Sequence, residues 1–150
     1  MAYRVIPIPG YSTSRVDSFR FRIIGQPDTS TTFIITYAMD EESDGSIVYG
    51  EIKFTDVLEF RWITESFDYT DFPQDHTVGV EFRLVEMLDS AYKENMLSKN
   101  MFSQFAGQRL GHVIQEDELR HFYLDIYEYG SLHVLALRVS VRKYKRKKRL

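Results

Sequence analysis

Apolar and polar residues alternate with a period of two along most of this chain, which is typical of half-buried β-strands. The clearest case lies near the C-terminus, where residues 119–127 alternate and residues 132–141 begin apolar on both faces. Gly130 between them suits a tight turn. We therefore predict a C-terminal β-hairpin over 119–141, with its second arm central in a sheet, because a strand that is apolar on both sides is usually covered on both.

The same alternation predicts earlier strands at 18–23, 31–39, 47–54 and 57–63, after an irregular lead-in that contains Pro7 and Pro9. Residues 78–87 fit either a strand or one face of a helix. A strand is favoured, because Gly79 would weaken a first helical turn and several of these residues are β-branched. A helix then follows the N-cap residue Ser90.

The predicted fold is thus a β-rich α+β domain. It contains a mostly antiparallel, curved sheet of about seven strands, either a sandwich or a partly open barrel. One main helix lies near 90–102, and the hairpin 119–141 closes the chain. A length of 150 residues fits one globular domain over 1–141, followed by a basic tail over 142–150.

Charge divides the chain more sharply than its net value of −3 indicates. Residues 142–149 hold seven of the 19 basic residues, which leaves 12 basic against 22 acidic residues in 1–141. The chain has no cysteine, which excludes disulfides and thiolate chemistry and favours a cytoplasmic location. The N-terminus is unlike a signal peptide, and no apolar run is long enough to span a membrane.

Two acidic loops, 40–46 and 64–76, are candidate contacts for a basic protein partner. The candidate residues are Glu41, Glu42, Asp44, Asp68, Asp71 and Asp75. The first loop also approaches the spacing of a calcium loop through Asp40, Glu42, Asp44 and Glu51. Predicted strands on both sides favour a solvated hairpin loop instead, because an EF-hand needs flanking helices, so no metal is predicted.

Histidines suggest a second type of site. His112, Glu116, Asp117 and His121 carry groups that zinc accepts, but their spacing matches no known pattern. His121 and His133 are expected to meet across the hairpin strands. A pocket for a small molecule beneath the helix, lined by Trp62, His121, Tyr123 and His133, is a further alternative.

The basic tail is the third candidate. It consists of Arg142, Lys143, Lys145, Arg146, Lys147, Lys148 and Arg149, with Tyr144 among them. Such a segment binds nucleic acid or an anionic surface through phosphate contacts, or stays solvated.

Recognised catalytic motifs are missing from the sequence: there is no Gly-rich phosphate loop, nucleophile elbow or His-Glu-x-x-His. Residues 88–92, 119–122 and 132–136 resemble the C-terminal halves of small bacterial domains, some of them similar to immunity proteins that neutralise a toxin. The resemblance covers about a third of the chain and implies a non-enzymatic interaction module without a cofactor. We therefore expect protein binding through the acidic loops, with polyanion binding or a small-molecule site as alternatives. A homo-oligomer is compatible with each of these three functions.

Overall fold

The described residues form one antiparallel sheet of seven strands with a helix against it. The structure is a computed structural model and describes residues 2–9, 17–25, 31–64, 82–98, 115, 117–126 and 130–147. The strands are β1 (Tyr3–Ile6), β2 (Asp17–Ile24), β3 (Thr31–Glu41), β4 (Ser46–Thr64), β5 (Phe82–Met87), β6 (Arg120–Ile126) and β7 (Gly130–Lys147), and the helix is α1 (Ala91–Ser98). Their spatial order is β1-β5-β6-β7-β4-β3-β2, and all neighbours are antiparallel. The predicted α+β class is confirmed.

The hairpin of β6 and β7 is at the centre of the sheet, as the apolar character of its second arm predicted. The two strands pair from Ile126↔Gly130 to Arg120↔Ala136, and Gly130 has a positive φ of 143°. β7 does not end at residue 141. It continues beside β4 to Lys147, which pairs with Ser46, so residues 142–147 of the basic segment are strand.

A bend in β4 replaces the two strands predicted at 47–54 and 57–63. That prediction is wrong, because Ser46–Thr64 is one strand. Its register shifts against β3 between Phe54 and Val57, where Asp56 has a φ of 57°, and against β7 between Val57 and Glu59. The ring of Phe33 lies 6.4 Å from Phe54 and 5.0 Å from Phe60, although six residues of extended strand span about 20 Å. β4 therefore bends sharply near Asp56, and this bend curls the sheet. The strand count remains seven because residues 3–6, for which no strand was predicted, form the edge strand β1.

The inner face of the curled sheet holds the main core. Its buried members are Ile8, Phe33, Ile35, Tyr37, Ile52, Phe54, Val57, Leu84, Phe122, Leu124, Leu132, Val134 and Ala136. Tyr37 is fully buried, and its hydroxyl donates to the Pro9 carbonyl oxygen at 2.6 Å. Its ring lies over Gly50, where a Cβ would come within 3.0 Å of the ring atoms. A glycine is thus required in the middle of β4 for the tyrosine to fill the core.

The outer face carries α1 on one half of the sheet. Leu119 and Leu135 form a buried cluster with Leu58, Tyr92, Met96, Leu97 and Leu137 around it. Ser90 caps the helix as predicted: its Oγ accepts the Lys93 backbone N–H at 3.0 Å. The prediction of a strand rather than a helix before this cap is also confirmed, because Phe82–Met87 form β5. The predicted parts at 78–81 and 99–102 lie outside the described residues.

Candidate functional site

The four pocket candidates lie on two different faces of the sheet. Trp62 pairs with Leu132, which belongs to the inner core. Tyr123 pairs with His133 on the outer face, where His121 also lies. Because directly paired residues share a face and successive residues alternate, Trp62 points away from the other three. The structure therefore brings His121, Tyr123 and His133 together, without Trp62.

The two histidines form a buried cluster beneath α1. His121 Nδ1 is 2.6 Å from Ser90 Oγ, and His121 Nε2 is 3.1 Å from His133 Nδ1. The rings of Tyr92 and Tyr123 lie 5.2 Å from His121 and 4.9 Å from His133, respectively. Both imidazoles are 1% exposed. The predicted meeting of the two histidines is confirmed.

Ser90 and the two histidines form a continuous chain of hydrogen bonds. Ser90 Oγ accepts the Lys93 N–H and is also hydrogen-bonded to His121 Nδ1, and His121 Nε2 is hydrogen-bonded to His133 Nδ1. The tautomers of the two imidazoles set which atom donates in the last two bonds. Burial lowers the pKa of His121 to about 4 and that of His133 to about 3, and the positive charge of Arg61 contributes to both shifts. Both rings are therefore neutral at pH 7.

Such imidazoles are poorly suited to general base catalysis, which works best with a pKa near the working pH. Their geometry instead ties the start of α1 to the hairpin. A second link ties α1 to β4, because the Tyr92 hydroxyl donates to the Glu59 carboxylate and Arg61 lies 4.8 Å above the Tyr92 ring. The histidine cluster is thus a polar support that holds α1 against the sheet.

The acidic loop 40–46 forms the turn between β3 and β4. The Asp44 carboxylate accepts hydrogen bonds from the side chain and backbone of Ser46, which lower its pKa. Glu42 lies 3.5 Å from Lys145 of β7. These carboxylates are therefore next to hydrogen-bond donors and a cation of their own chain. The side chains of Asp40 and Glu41 lie outside the described residues, as do Asp68, Asp71 and Asp75.

The calcium-loop pattern does not come together. Strands flank the turn on both sides, and Glu51 lies further along β4, opposite Thr36. Both Glu51 carboxylate oxygens accept hydrogen bonds from Arg142 at 2.9 Å. In the described part of the chain no cluster of three metal-ligating side chains occurs. His112 and Glu116 of the other candidate metal cluster lie outside that part, and Asp117 is exposed.

The basic segment is divided by its strand conformation into two faces. Arg142 and Arg146 pair with Glu51 and Ile47 and point outward, whereas Lys143 pairs with Gly50 of the inner face. Lys145 shares the side of Lys143 by alternation. The side chain of Lys147 lies outside the described residues, as do Lys148 and Arg149.

Cations from two other strands extend this outer surface. Arg20 and Arg22 of β2 pair with Thr36 and Ile34 of β3, which in turn pair with Glu51 and Lys53 of β4. Arg20 and Arg142 thus belong to one row across four strands, about 14 Å apart at three strand spacings. We name the set Arg20, Arg22, Lys53, Arg138, Arg142 and Arg146 the basic face. Alternation along β2 puts both arginines on one side of the strand, but their alignment with the C-terminal segment depends on pairing between distant strands.

The six cations of the basic face differ in whether a carboxylate is bound to them. Arg138 and Arg142 are bound to Asp56 and Glu51. The other four cations are exposed and have no carboxylate partner within the described ranges; they are Arg20, Arg22, Lys53 and Arg146. Two aromatic rings lie in the same surface, since Tyr144 stacks on Tyr49 at 5.4 Å and Arg142 lies 4.9 Å above Tyr144. Within the described residues, the surface therefore combines four cations that have no carboxylate partner with two aromatic rings.

Comparison with protein-family models, with curated proteins and with solved structures finds no match to this chain. The resemblance to immunity-like bacterial domains consequently remains a prediction. Among the described helical residues, no segment has the length and apolarity needed to cross a membrane.

Proposed function

We propose that this protein is a nucleic-acid-binding module that contacts single-stranded phosphate backbone through the basic face. The pairing register of the strands supports this proposal, because it places six cations from β2, β4 and β7 on one surface. Phosphate contacts from arginine and lysine supply most of the affinity in such complexes. Single strands are favoured over duplex because the surface is a sheet with no described helix or ribbon on it to enter a groove.

Two alternatives have less support from the described geometry. The carboxylates of the acidic loop 40–46 are adjacent to Lys145 and Ser46, which reduces the negative field available to a basic protein partner. A catalytic pocket at the histidines would have to use weak bases that are 1% exposed. The four cations without a carboxylate partner among the described residues provide a more direct binding surface.

The test is a fluorescence anisotropy titration with a labelled single-stranded thymidine oligonucleotide at several salt concentrations. With four unpaired cations on phosphates, the plot of log K against log salt is expected to have a slope of about −2.8. The double variant Arg22→Gln/Lys53→Gln removes two of these contacts. Its slope should fall to about half, and its affinity at low salt should fall about tenfold.

The matched control is Lys143→Gln/Lys145→Gln, which removes the same charge from the other side of β7. Its oligonucleotide affinity should change less than that of the first variant. Equal losses in both doubles would show that only net charge matters and would contradict the proposal. Binding to vesicles with anionic lipid but not to the oligonucleotide would also overturn it and would assign the basic face to a membrane surface.

A further inference from the structure

β2 ends the sheet and has a hydrogen-bonded neighbour on one side only within the described ranges. Its eight residues contain no proline. An edge of this type presents backbone donors and acceptors that can pair with another strand. β2 is therefore a candidate site for strand addition.

The two sides of β2 differ in chemistry. Phe21 and Ile23 pair with inner-face residues of β3, yet they remain 46% and 52% exposed. Their neighbour Trp62 is 38% exposed, with its ring 5.6 Å from Phe21. On the outer side, Arg20 and Arg22 are exposed without a carboxylate partner in the described part of the chain. The edge therefore offers alternating apolar and cationic positions.

A second copy of this chain fits the edge poorly. If two β2 strands paired antiparallel with their faces aligned, Arg20 of one copy would lie opposite Arg22 of the other. Like charges directly opposite each other on paired strands are destabilising. A strand with carboxylates at alternate positions would instead form opposite-charge pairs with both arginines.

We propose that β2 takes up an extended segment of a partner protein as an eighth strand. That segment carries acidic residues at alternate positions, facing Arg20 and Arg22, and apolar residues between them, facing Phe21 and Ile23. Backbone hydrogen bonds along the edge supply affinity, and the two alternating faces supply specificity. This site goes beyond the proposed nucleic-acid function, because it depends on the edge of β2 and on its apolar side.

The experiment titrates the full chain with a synthetic peptide of alternating glutamate and valine. Trp62 is the only tryptophan in the sequence and lies beside Phe21, so its fluorescence reports occupation of the edge. Amide hydrogen exchange of residues 17–24 should slow when the peptide is bound. A peptide of alternating lysine and valine, and the glutamate peptide with a central proline, serve as ligand controls.

The charge-reversal double variant Arg20→Glu/Arg22→Glu is expected to lose at least about tenfold in affinity for the glutamate peptide and to gain affinity for the lysine peptide. The control Lys53→Glu/Arg146→Glu reverses two cations of the basic face away from the edge. It should bind the glutamate peptide within about twofold of the wild type while losing oligonucleotide binding. The two proposals can therefore fail separately.

Several results would overturn the strand-addition proposal. They are equal binding of the proline-containing peptide, no slowing of amide exchange in β2, and unchanged peptide preference after charge reversal. Concentration-dependent dimerisation that protects β2 would also overturn it, because a second copy would then be the occupant.

Discussion

Replacing Gly50 by alanine tests how the inner core is assembled around Tyr37. An added Cβ would lie less than 3.0 Å from ring atoms Cζ and Cε2 and from the hydroxyl oxygen of Tyr37, which is closer than real Cβ contacts. The ring has little room to retreat, because Tyr37 is fully buried and its hydroxyl is bound to Pro9. The added methyl therefore overpacks the core, and displacement of the ring breaks the hydrogen bond to Pro9.

The expected loss follows from these two contributions. Overpacking a core by one methyl typically costs about 1–3 kcal/mol. Breaking the Tyr37–Pro9 hydrogen bond adds about 1 kcal/mol. Alanine recovers about 0.5–1 kcal/mol through the backbone entropy that glycine loses on folding. We therefore expect Gly50→Ala to lower the free energy of unfolding by about 2 kcal/mol, or to lower Tm by about 4–8 °C for a chain of this length.

Urea unfolding followed by circular dichroism measures this loss, and a double-mutant cycle tests its cause. In a Tyr37→Leu background the ring is gone, so the further change Gly50→Ala should lower stability by less than about 0.5 kcal/mol. Gly25→Ala is the matched control, because its Cβ would meet the Thr31 side chain at an ordinary 3.4 Å. Equal losses from Gly50→Ala in the wild-type and Tyr37→Leu backgrounds would refute the steric argument.

Two further predictions concern the bulge and the buried histidines. Asp56 has a φ of 57°, which asparagine tolerates far better than the β-branched valine. In urea unfolding, Asp56→Val should therefore lower the free energy of unfolding by about 2 kcal/mol more than Asp56→Asn. Equal losses in the two variants would contradict the argument from the positive φ. In the unfolded chain His121 and His133 become protonated below about pH 6.5. In the folded chain their pKa values are about 4 and about 3, so they stay neutral to lower pH. As the pH falls below about 6.5, the free energy of unfolding should therefore decrease by about 1.4 kcal/mol per pH unit for each histidine. Urea unfolding at about pH 7 and pH 5.5 measures this decrease in the free energy of unfolding, which should be smaller in His133→Gln than in the wild type. An unchanged pH dependence in that variant would show that His133 does not have a lowered pKa in the folded state.

Much of the local structure followed from the sequence. Alternation of side chains predicted the strands around the C-terminal hairpin, and the two-sided apolar start of β7 predicted its central place. Ser90 was recognisable as a helix cap and Gly130 as a turn residue, because each depends on hydrogen bonds or φ angles within a few residues. The close packing of Gly50 against Tyr37 was not predicted, because the two residues lie on different strands and meet only in the folded sheet.

The sequence by itself determined the class of fold, the period of each strand and the uneven distribution of charge. Only the tertiary structure decided that β4 continues through Asp56 and bends, and that Trp62 faces away from His121. It also aligned Arg22 with Lys53 across three strands, and Arg20 with Arg142 across four. The physical reason is that strand period is a property of neighbouring residues, whereas bends and cross-strand neighbours depend on packing between segments far apart in the chain.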